Sequence, residues 1–239
     1  MEILEGMEIV DLALYIKKYK TLAIADLHIG YEEHLIKKGF LVPGMQFKDI
    51  SARLQKILSS RDIDTVVITG DFKHEFGKIY ENERKNILKI INLITDKRKL
   101  IIIKGNHDVS LPFITKKAEI EIFDSYKIKD VLFCHGDEIP DTDDFKKSKI
   151  IIIGHEHPAL GLKEKNKYEN YKCFLKGRWK NKTLIVLPSF HKLTVGTDIL
   201  RGKLLSPFLS DTKISNFEAY VIEDNKVYNF GKLKKLFFK

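Results

Sequence analysis

Residues 100–108 carry the sequence Leu-Ile-Ile-Ile-Lys-Gly-Asn-His-Asp, on which the fold prediction rests. An apolar run this short and this rich in β-branched residues is typical of a strand buried on both faces, as in parallel sheets. Gly105 ends the run, and the polar side chains of Asn106, His107 and Asp108 follow at once. The segment therefore predicts a buried strand that brings polar groups to one edge of a sheet.

The same arrangement of an apolar run followed by polar residues occurs five times. Ligands of open α/β sheets bind outside the carboxyl ends of the strands, so we expect the five polar clusters to converge on one site. The five segments, each given as run and cluster, are Leu22–Ala25 with Asp26-Leu27-His28, Thr65–Thr69 with Gly70-Asp71-Phe72-Lys73-His74, Leu100–Lys104 with Gly105-Asn106-His107-Asp108, Val131–Cys134 with His135-Gly136-Asp137, and Ile150–Ile153 with Gly154-His155-Glu156-His157.

Helical patterns separate the early runs. Phe47–Ser60 and Glu81–Ile94 each place apolar residues on one stripe of a helix. Alternation of strands and helices predicts an α/β fold in the first half. The second half favours hairpins, among them Cys173–Trp179 with Thr183–Leu187, and the Lys-, Glu- and Asn-rich stretch Gly161–Asn170 is expected to be irregular. We expect residues 1–239 to form one domain of mixed sheets with helices outside.

Composition excludes several classes of protein. The chain has 239 residues, of which 44% are hydrophobic and 31% charged, so a disordered chain is excluded. Its 2 cysteines are too few for a disulfide scaffold, which favours a reducing cytoplasm. No apolar run reaches the roughly 18 residues of a membrane span. The formal net charge of +9 is compatible with a polyanionic partner, and equally with a genome or growth temperature that favours lysine.

The residue types of the five clusters suit divalent metal ions. Imidazole and carboxylate together bind Zn, Fe, Mn or Ni, and a carboxylate can bridge two ions. A glycine before Asp71, Asn106 and His155 lets the backbone turn sharply. Each motif taken alone is weak, since Asp-x-His or His-Gly-Asp also occurs in ordinary turns. The joint pattern, which uses most of the 8 histidines, is not expected from a purely structural role.

The ordered series Asp-x-His, Gly-Asp, Gly-Asn-His-Asp, His and Gly-His-x-His resembles the signature of the calcineurin-like metallophosphoesterases. The resemblance extends from Leu22 to about Pro158. It implies an α/β fold, a four-layer αββα sandwich of two mixed β-sheets flanked by helices. It also implies a dimetal site at the carboxyl ends of the strands, which hydrolyses phosphoesters.

The resemblance assigns a role to each matching position. Asp26, His28 and His157 would bind metal one, and Asp71 would bridge both ions. The expected ligands of metal two are Asn106, His135 and His155. His107 matches a catalytic histidine that is not a ligand, and Asp108 matches the acidic partner that would hold its imidazole in place. Two ions, with Mn expected and Zn, Fe, Ni or Co possible, would clamp one phosphate and hold a bridging hydroxide for in-line attack.

His74 indicates a branch of that family. Gly-Asp-x-x-His resembles the double-strand-break-repair nucleases, in which this histidine lies near the scissile phosphate, whereas many phosphatases have Gly-Asp-x-x-Asp. Because the chain after His157 is short, it resembles most the small archaeal phosphoesterases related to those nucleases, and a homodimer is possible by that resemblance. An ATPase partner is not supported.

The expected function is a phosphodiesterase acting on DNA or RNA. The alternatives are a diesterase or monoesterase for small nucleotides and, less favoured, a non-catalytic scaffold of the same fold. Basic and aromatic residues alternate between Lys163 and Lys182, which could follow a phosphate backbone and stack bases. A hairpin whose alternate aromatic residues face the core also explains that pattern and is the slightly favoured interpretation. The candidate substrate contacts in this hairpin are Lys172, Lys176, Arg178 and Trp179.

Overall fold

A computed structural model describes residues 1–164, 167–224 and 226–236. The first sheet has seven strands in chain order. The first to the fourth strand pair antiparallel with their neighbours, and the fourth to the seventh pair in parallel. The strands are β1 (Glu2–Leu4), β2 (Met7–Val10), β3 (Ala13–Ile16), β4 (Thr21–Ile24), β5 (Thr65–Thr69), β6 (Lys99–Ile103) and β7 (Ile122–Phe123).

The second sheet has nine strands, and β9, β10 and β13 are parallel at its centre. Its main path runs β14-β11-β12-β13-β10-β9-β8, and β15 pairs with both β12 and β16. The strands are β8 (Ser125–Ile128), β9 (Val131–Cys134), β10 (Ile150–Ile153), β11 (Pro158–Glu164), β12 (Lys167–Trp179), β13 (Lys182–Val186), β14 (Thr197–Asp198), β15 (Glu218–Glu223) and β16 (Lys226–Lys232).

Helices accompany both sheets. In the first half they are α1 (Tyr31–Lys37), α2 (Gln46–Ser60), α3 (Glu81–Thr95) and α4 (Pro112–Thr115), and in the second half α5 (Asp143–Lys147) and α6 (Pro207–Ser210). No helix in the described ranges combines the length and the apolar character needed to span a bilayer.

The second sheet buries both of its faces, as its alternating side chains show. Phe133 and Ile152 belong to the core cluster that also contains the first sheet, α2 and α3. Their neighbours Leu132 and Ile151 belong to the other cluster, with Phe145 of α5 and residues of α6. Two mixed sheets therefore pack face to face, with helices on the outside, and the predicted fold class is confirmed.

Five predicted strands correspond to β4, β5, β6, β9 and β10, and both predicted helices correspond to α2 and α3. The expectation for Gly161–Asn170 is wrong, because residues 161–164 and 167–170 are paired in β11 and β12, while residues 165–166 lie outside the described ranges. An antiparallel hairpin takes its hydrogen bonds from its partner strand and needs little apolar surface, so its sequence resembled a loop.

Candidate metal centre

The carboxyl ends of the central strands of both sheets meet. Ala25, just after β4, forms a parallel bridge with Ser189, just after β13, and Phe190 N donates to Ala25 O at 2.8 Å. Within the second sheet, Gly154 N donates to His135 O at 2.9 Å. The polar residues that follow β4, β5, β6, β9 and β10 therefore lie at one place, as the sequence predicted.

A first group of metal-ligand atoms comes from Asp26, His28 and His157, whose ligand atoms all lie within 4.8 Å of one another. His157 Nε2 lies 3.4 Å from His28 Nε2 and 3.4 Å from Asp26 Oδ2. Asp26 is fully buried and the His28 side chain nearly so. These are the three side chains expected at metal one.

A second group surrounds His135 Nε2, which lies 3.1 Å from Asn106 Oδ1 and 3.2 Å from His155 Nδ1. His135 Nδ1 donates to the carbonyl of Thr69 at 3.1 Å, which leaves Nε2 as the free ring nitrogen. Such a second hydrogen bond is what fixes the tautomer of a histidine ligand. These are the side chains expected at metal two.

Asp71 lies between the two groups. Its Oδ2 is 3.6 Å from His28 Nε2 in the first group, and its Oδ1 is 3.6 Å from His135 Nε2 in the second. One oxygen faces each group, as a bridging carboxylate requires. The predicted ligands are thus assembled in two adjoining sets that share Asp71.

Five of these residues have left-handed backbone conformations, which side chains other than glycine seldom adopt. The φ angles are 52° for Asp26, 43° for His28, 47° for Asp71, 62° for His155 and 48° for His157. Each such residue costs on the order of 1–3 kcal/mol, and such strain concentrates at functional sites.

The glycines before Asp71, Asn106 and His155 make room for side chains of the centre. Only Gly70 has a positive φ, of 84°, so the expected sharp turn applies to it alone. At Gly154, which precedes His155, a Cβ would lie 2.7 Å from Asp26 Oδ2. Close approach of Asp71 to Gly105 and of Asp26 to Gly154, more than backbone freedom, therefore explains these two glycines.

The charges of the centre indicate a cation site. Burial, opposed in part by the imidazole of His135, raises the pKa of Asp71 to about 8. At Asp26 burial also disfavours ionisation, but the rings of His157 and His135 outweigh it and lower the pKa. Buried carboxylates, imidazoles and one amide oxygen are the donors that divalent ions use, and binding of ions displaces the protons held there.

His107 and His74 lie beside the first group. His28, His74 and His107 place ring nitrogens within 4.8 Å of one another, and the rings of His74 and His107 are stacked with centroids 5.3 Å apart. His107 Nδ1 donates to the carbonyl of His74 at 2.6 Å, so its Nε2 is the nitrogen that faces Asp71, at 3.9 Å from Oδ2. Both predicted catalytic histidines are thus at the centre.

The expected role of Asp108 is not supported. Its buried carboxylate accepts hydrogen bonds from the backbone N–H groups of Phe72 at 3.2 Å, Lys73 at 3.1 Å and Gly105 at 3.0 Å, whereas the carbonyl of His74 orients His107. These amides have no strand partner of their own and need a buried acceptor. Asp108 holds the loops after β5 and β6 together.

Two further histidines lie at the centre. The His191 ring is fully buried and lies 5.6 Å from the His28 ring. The ring of His34, in α1, has its centroid 4.8 Å from that of His74, and His34 bonds to Glu75. The place of His191 follows from the sequence pattern, because it comes after β13, a third parallel strand that ends at this edge. Nothing in the sequence indicated how α1 is oriented.

The hairpin predictions are corrected in three places. Lys176 is engaged by Glu218 Oε2 at 2.7 Å and by Tyr220 Oη at 3.1 Å. Lys172 is turned inward onto the hydroxyl of Ser189. Trp179 is 2% exposed and packs between Phe145 and Phe208 in the outer core. Arg178 alone of the four is exposed on the surface. The core-facing interpretation of the hairpin aromatics holds for Phe174 and Trp179, which are buried, whereas Tyr168 is 40% exposed.

Replacing Trp179 with Ala should therefore affect stability. Deleting a buried tryptophan costs about 3–5 kcal/mol and, for a chain of this size, about 2–4 °C in Tm for each kcal/mol. Thermal unfolding followed by circular dichroism measures the loss. The exposed neighbour offers a matched control, since Arg178→Ala should change the stability by less than about 0.5 kcal/mol. Equal Tm values for the two variants would contradict the burial of Trp179.

The metal centre opens into a cleft of about 360 Å³. Candidate ligands and the predicted catalytic histidines His74 and His107 line it, together with Tyr31, His191, Thr194 and Leu205. Among the lining residues in the described part of the chain, none is Lys or Arg.

Comparisons with known proteins concern the family and the fold. The family model for calcineurin-like phosphoesterases matches residues 19–187. The solved structure of the nuclease MPE from Pseudomonas putida has a TM-score of 0.66 and 20% identity, and covers 94% of each chain. Vps29 from Cryptosporidium parvum has a TM-score of 0.39 and 15% identity, over 89% of this chain and 97% of that one. No curated protein sequence matches the chain significantly.

At these identities the similarity to solved structures concerns the fold, whereas the family match covers well over half of the sequence, including all five clusters. The chain belongs to the calcineurin-like phosphoesterase family and is a hydrolase of phosphoester bonds that binds divalent metal ions.

Proposed function

We propose that the protein is a phosphodiesterase that cleaves nucleic acid with two divalent ions. Asp26, His28 and His157 bind one ion, Asn106, His135 and His155 bind the other, and Asp71 contacts both. The observation that carries the proposal is the pair of adjoining ligand groups with one Asp71 oxygen facing each. Mn²⁺ is the first ion to test, followed by Zn, Fe, Ni and Co.

The absence of fixed cations in the cleft favours a diester. A phosphodiester carries one negative charge, whereas a phosphomonoester carries close to two at neutral pH. Beyond the metal ions, the described lining offers neither Lys nor Arg for the additional charge. Histidine side chains such as His107 and His74 supply the polar contacts instead.

An exposed aromatic ring supports nucleic acid over a small diester. Phe76 is 51% exposed, and its ring lies 3.9 Å from that of His107. An aromatic face at the edge of the cleft can stack a base next to the scissile phosphate. The net charge of +9 favours a polyanionic substrate in addition, and the nuclease with a similar fold is compatible with it.

When bound, the ions neutralise charge on the phosphate and lower the pKa of water, so that it can act as a nucleophile near neutral pH. His107 is placed to serve the leaving oxygen through Nε2, because its Nδ1 is committed to the His74 carbonyl. Burial lowers the pKa of His107, and the hydrogen bond to that carbonyl opposes this shift by favouring the protonated ring that a general acid needs. His74 holds this geometry through its backbone and contacts the substrate phosphate through its ring.

Replacing His107 with Ala should lower kcat by about 10²–10⁴-fold, the usual contribution of general acid catalysis. The loss should be larger for a dinucleotide, whose leaving group is a poor alkoxide, than for bis(4-nitrophenyl) phosphate. The variant should still bind two ions for each chain, measured by atomic absorption. An equal loss for both substrates would contradict the role as a general acid.

The decisive experiment compares a chromogenic phosphodiester with its matched monoester, using EDTA-treated chain with and without added Mn²⁺. Diester cleavage that Mn²⁺ restores supports the proposal, and hydrolysis of single-stranded DNA and RNA follows as the next step. Monoester preference would favour a small-molecule phosphatase. Absence of turnover with every divalent ion would overturn the diesterase.

We place this reaction in the cytoplasm, because Cys134 and Cys173 are both buried and unpaired.

A further inference from the structure

A second cavity of about 320 Å³ adjoins the metal cleft. Thr194 lines both spaces, while Lys192 and Val195 line only the second cavity and His191 only the cleft. The second cavity is bounded by residues of α2, of β12 and of the turn that follows β15. Its size is that of a small-molecule site.

Two polar atoms in the lining are buried without a hydrogen-bond partner among the described residues, and a third group lacks a countercharge. Arg53 is 7% exposed, and its Nε is the first of the two atoms. The second is the buried Oδ1 of Asn170. The ammonium group of Lys172 has a hydroxyl partner, Ser189, but no carboxylate within ion-pair distance among the described residues. Burying a polar group without a partner is unfavourable, so a polar ligand in the cavity would stabilise these groups.

Lys172 is the group in the lining that a bound anion would stabilise. The charge of Arg53 is compensated by Asp11 at 2.5 Å and by Asp49 at 3.0 Å. Burial lowers the pKa of Lys172 to about 7. Asp26, just after β4, opposes this shift by attracting the ammonium group, and Arg53 of α2 adds to the shift by repelling it. His191, from the segment after β13, also faces Lys172 and is itself held neutral by burial, which lowers its pKa. An anion beside Lys172 would stabilise the charged ammonium.

The exposed part of the lining has a net negative charge. Glu223 ends β15, Asp224 follows it, and both are exposed, while Lys192 is the exposed cation of the lining. Carboxylates there would repel a second phosphate, so a continuing nucleic-acid strand is disfavoured. They would accept hydrogen bonds from hydroxyl or amine groups.

We propose that this cavity binds a small phosphomonoester of about the size of a mononucleotide. The phosphate contacts Lys172, Asn170 accepts a hydrogen bond from the ligand, and the hydroxyl or amine groups of the ligand face Glu223 and Asp224. The site is separate from the metal centre, so its test does not depend on hydrolysis.

Isothermal titration calorimetry with AMP, adenosine and inorganic phosphate tests the proposal. The full chain should be titrated both with Mn²⁺ and after EDTA treatment, because AMP bound at the metal centre is lost with the ions and AMP in this cavity is not. One AMP for each chain is expected in both states, with adenosine at least about tenfold weaker, a difference of about 1.4 kcal/mol.

Two variants make the assignment specific. Lys172→Met should weaken AMP binding by at least about tenfold. Asn170→Asp is nearly isosteric, places a negative charge in the cavity and should weaken AMP binding as well. It serves as the test if Lys172→Met fails to fold. Lys180→Met, an exposed lysine just beyond β12, is the matched control and should bind AMP like the parent. Circular dichroism checks the fold of each.

Three results would overturn the site or part of it. AMP binding that disappears after EDTA treatment would place the ligand at the metal centre. Equal affinity for AMP in the parent, Lys172→Met and Asn170→Asp would show that AMP does not bind in this cavity. Phosphate that binds as tightly as AMP would overturn the part assigned to Glu223 and Asp224.

The pH dependence of sulfate binding is a further check, since the charge of sulfate is constant from about pH 6 to pH 9. Free Lys172 is protonated only below about pH 7, and a bound anion raises its pKa. Affinity should therefore be constant below that pH and fall above it, by up to about tenfold for each pH unit. Sulfate binding that is independent of pH in the parent would contradict a contact with Lys172.

Discussion

Asp71→Asn should abolish most of the turnover of a phosphodiester while leaving the fold intact. The carboxylate places one oxygen 3.6 Å from His28 Nε2 and the other 3.6 Å from His135 Nε2, so it contacts both ligand groups. Asn keeps the shape and can still accept the hydrogen bond from His107 N, but it lacks the charge and the second acceptor oxygen. Losing several kcal/mol of metal-dependent stabilisation corresponds to a decrease in kcat of about a thousandfold or more.

Stability without metal separates this effect from unfolding. Burial raises the pKa of Asp71 to about 8, above its value in an unfolded chain, so the metal-free fold loses stability as the pH rises from that unfolded value to about 8 and stays weakened above it. Asn carries no charge, so at about pH 9 the EDTA-treated variant should melt no lower than the EDTA-treated parent. Asp144→Asn, at an exposed carboxylate of α5, is the control for activity. Full turnover of Asp71→Asn with Mn²⁺ would overturn the two-metal assignment.

The sequence predicted the central strands because they are buried on both faces. Runs such as Ile150–Ile153 have few other interpretations, and the polar residue that follows each run marks its end. The N-terminal strands β1, β2 and β3 were not predicted. They have only three or four residues each and alternate in burial at most weakly, so their pairing depends on the neighbouring β4.

The candidate metal ligands come together as the sequence predicted, because each lies within four residues of the end of a strand and chain order brings these ends to one edge. Side-chain direction could not be predicted in the same way. Asp108 follows His107 in the chain, but three unpaired backbone N–H groups attract its carboxylate away from the imidazole. Lys172 follows the basic pattern of its hairpin, yet the pleat of β12 turns it inward to Ser189. Both depend on tertiary contacts.

Gly105→Ala should have the second large effect, through Asp71. A Cβ at Gly105 would lie 2.2 Å from Asp71 Oδ1 and 2.3 Å from Asp71 N, which is closer than real Cβ contacts allow. The backbone nitrogen cannot rotate away as a side chain can, so the end of β5 or of β6 must shift. Asp71 would then lose its position between His28 and His135. Because a displacement of about 1 Å can cost about a hundredfold in rate, we expect turnover to fall at least that far.

The stability effect of Gly105→Ala should be moderate by comparison, since overpacking costs about 1–3 kcal/mol. The variant should therefore fold, with a Tm several degrees lower, and bind less than two ions for each chain at Mn²⁺ concentrations that saturate the parent. Gly77→Ala is the matched control, because a Cβ there meets nothing within 4 Å. It lies in the same loop region as His74 and should leave both turnover and metal content unchanged. If Gly105→Ala retained two ions and full turnover, the close approach of β6 to Asp71 would not be what positions the bridging carboxylate.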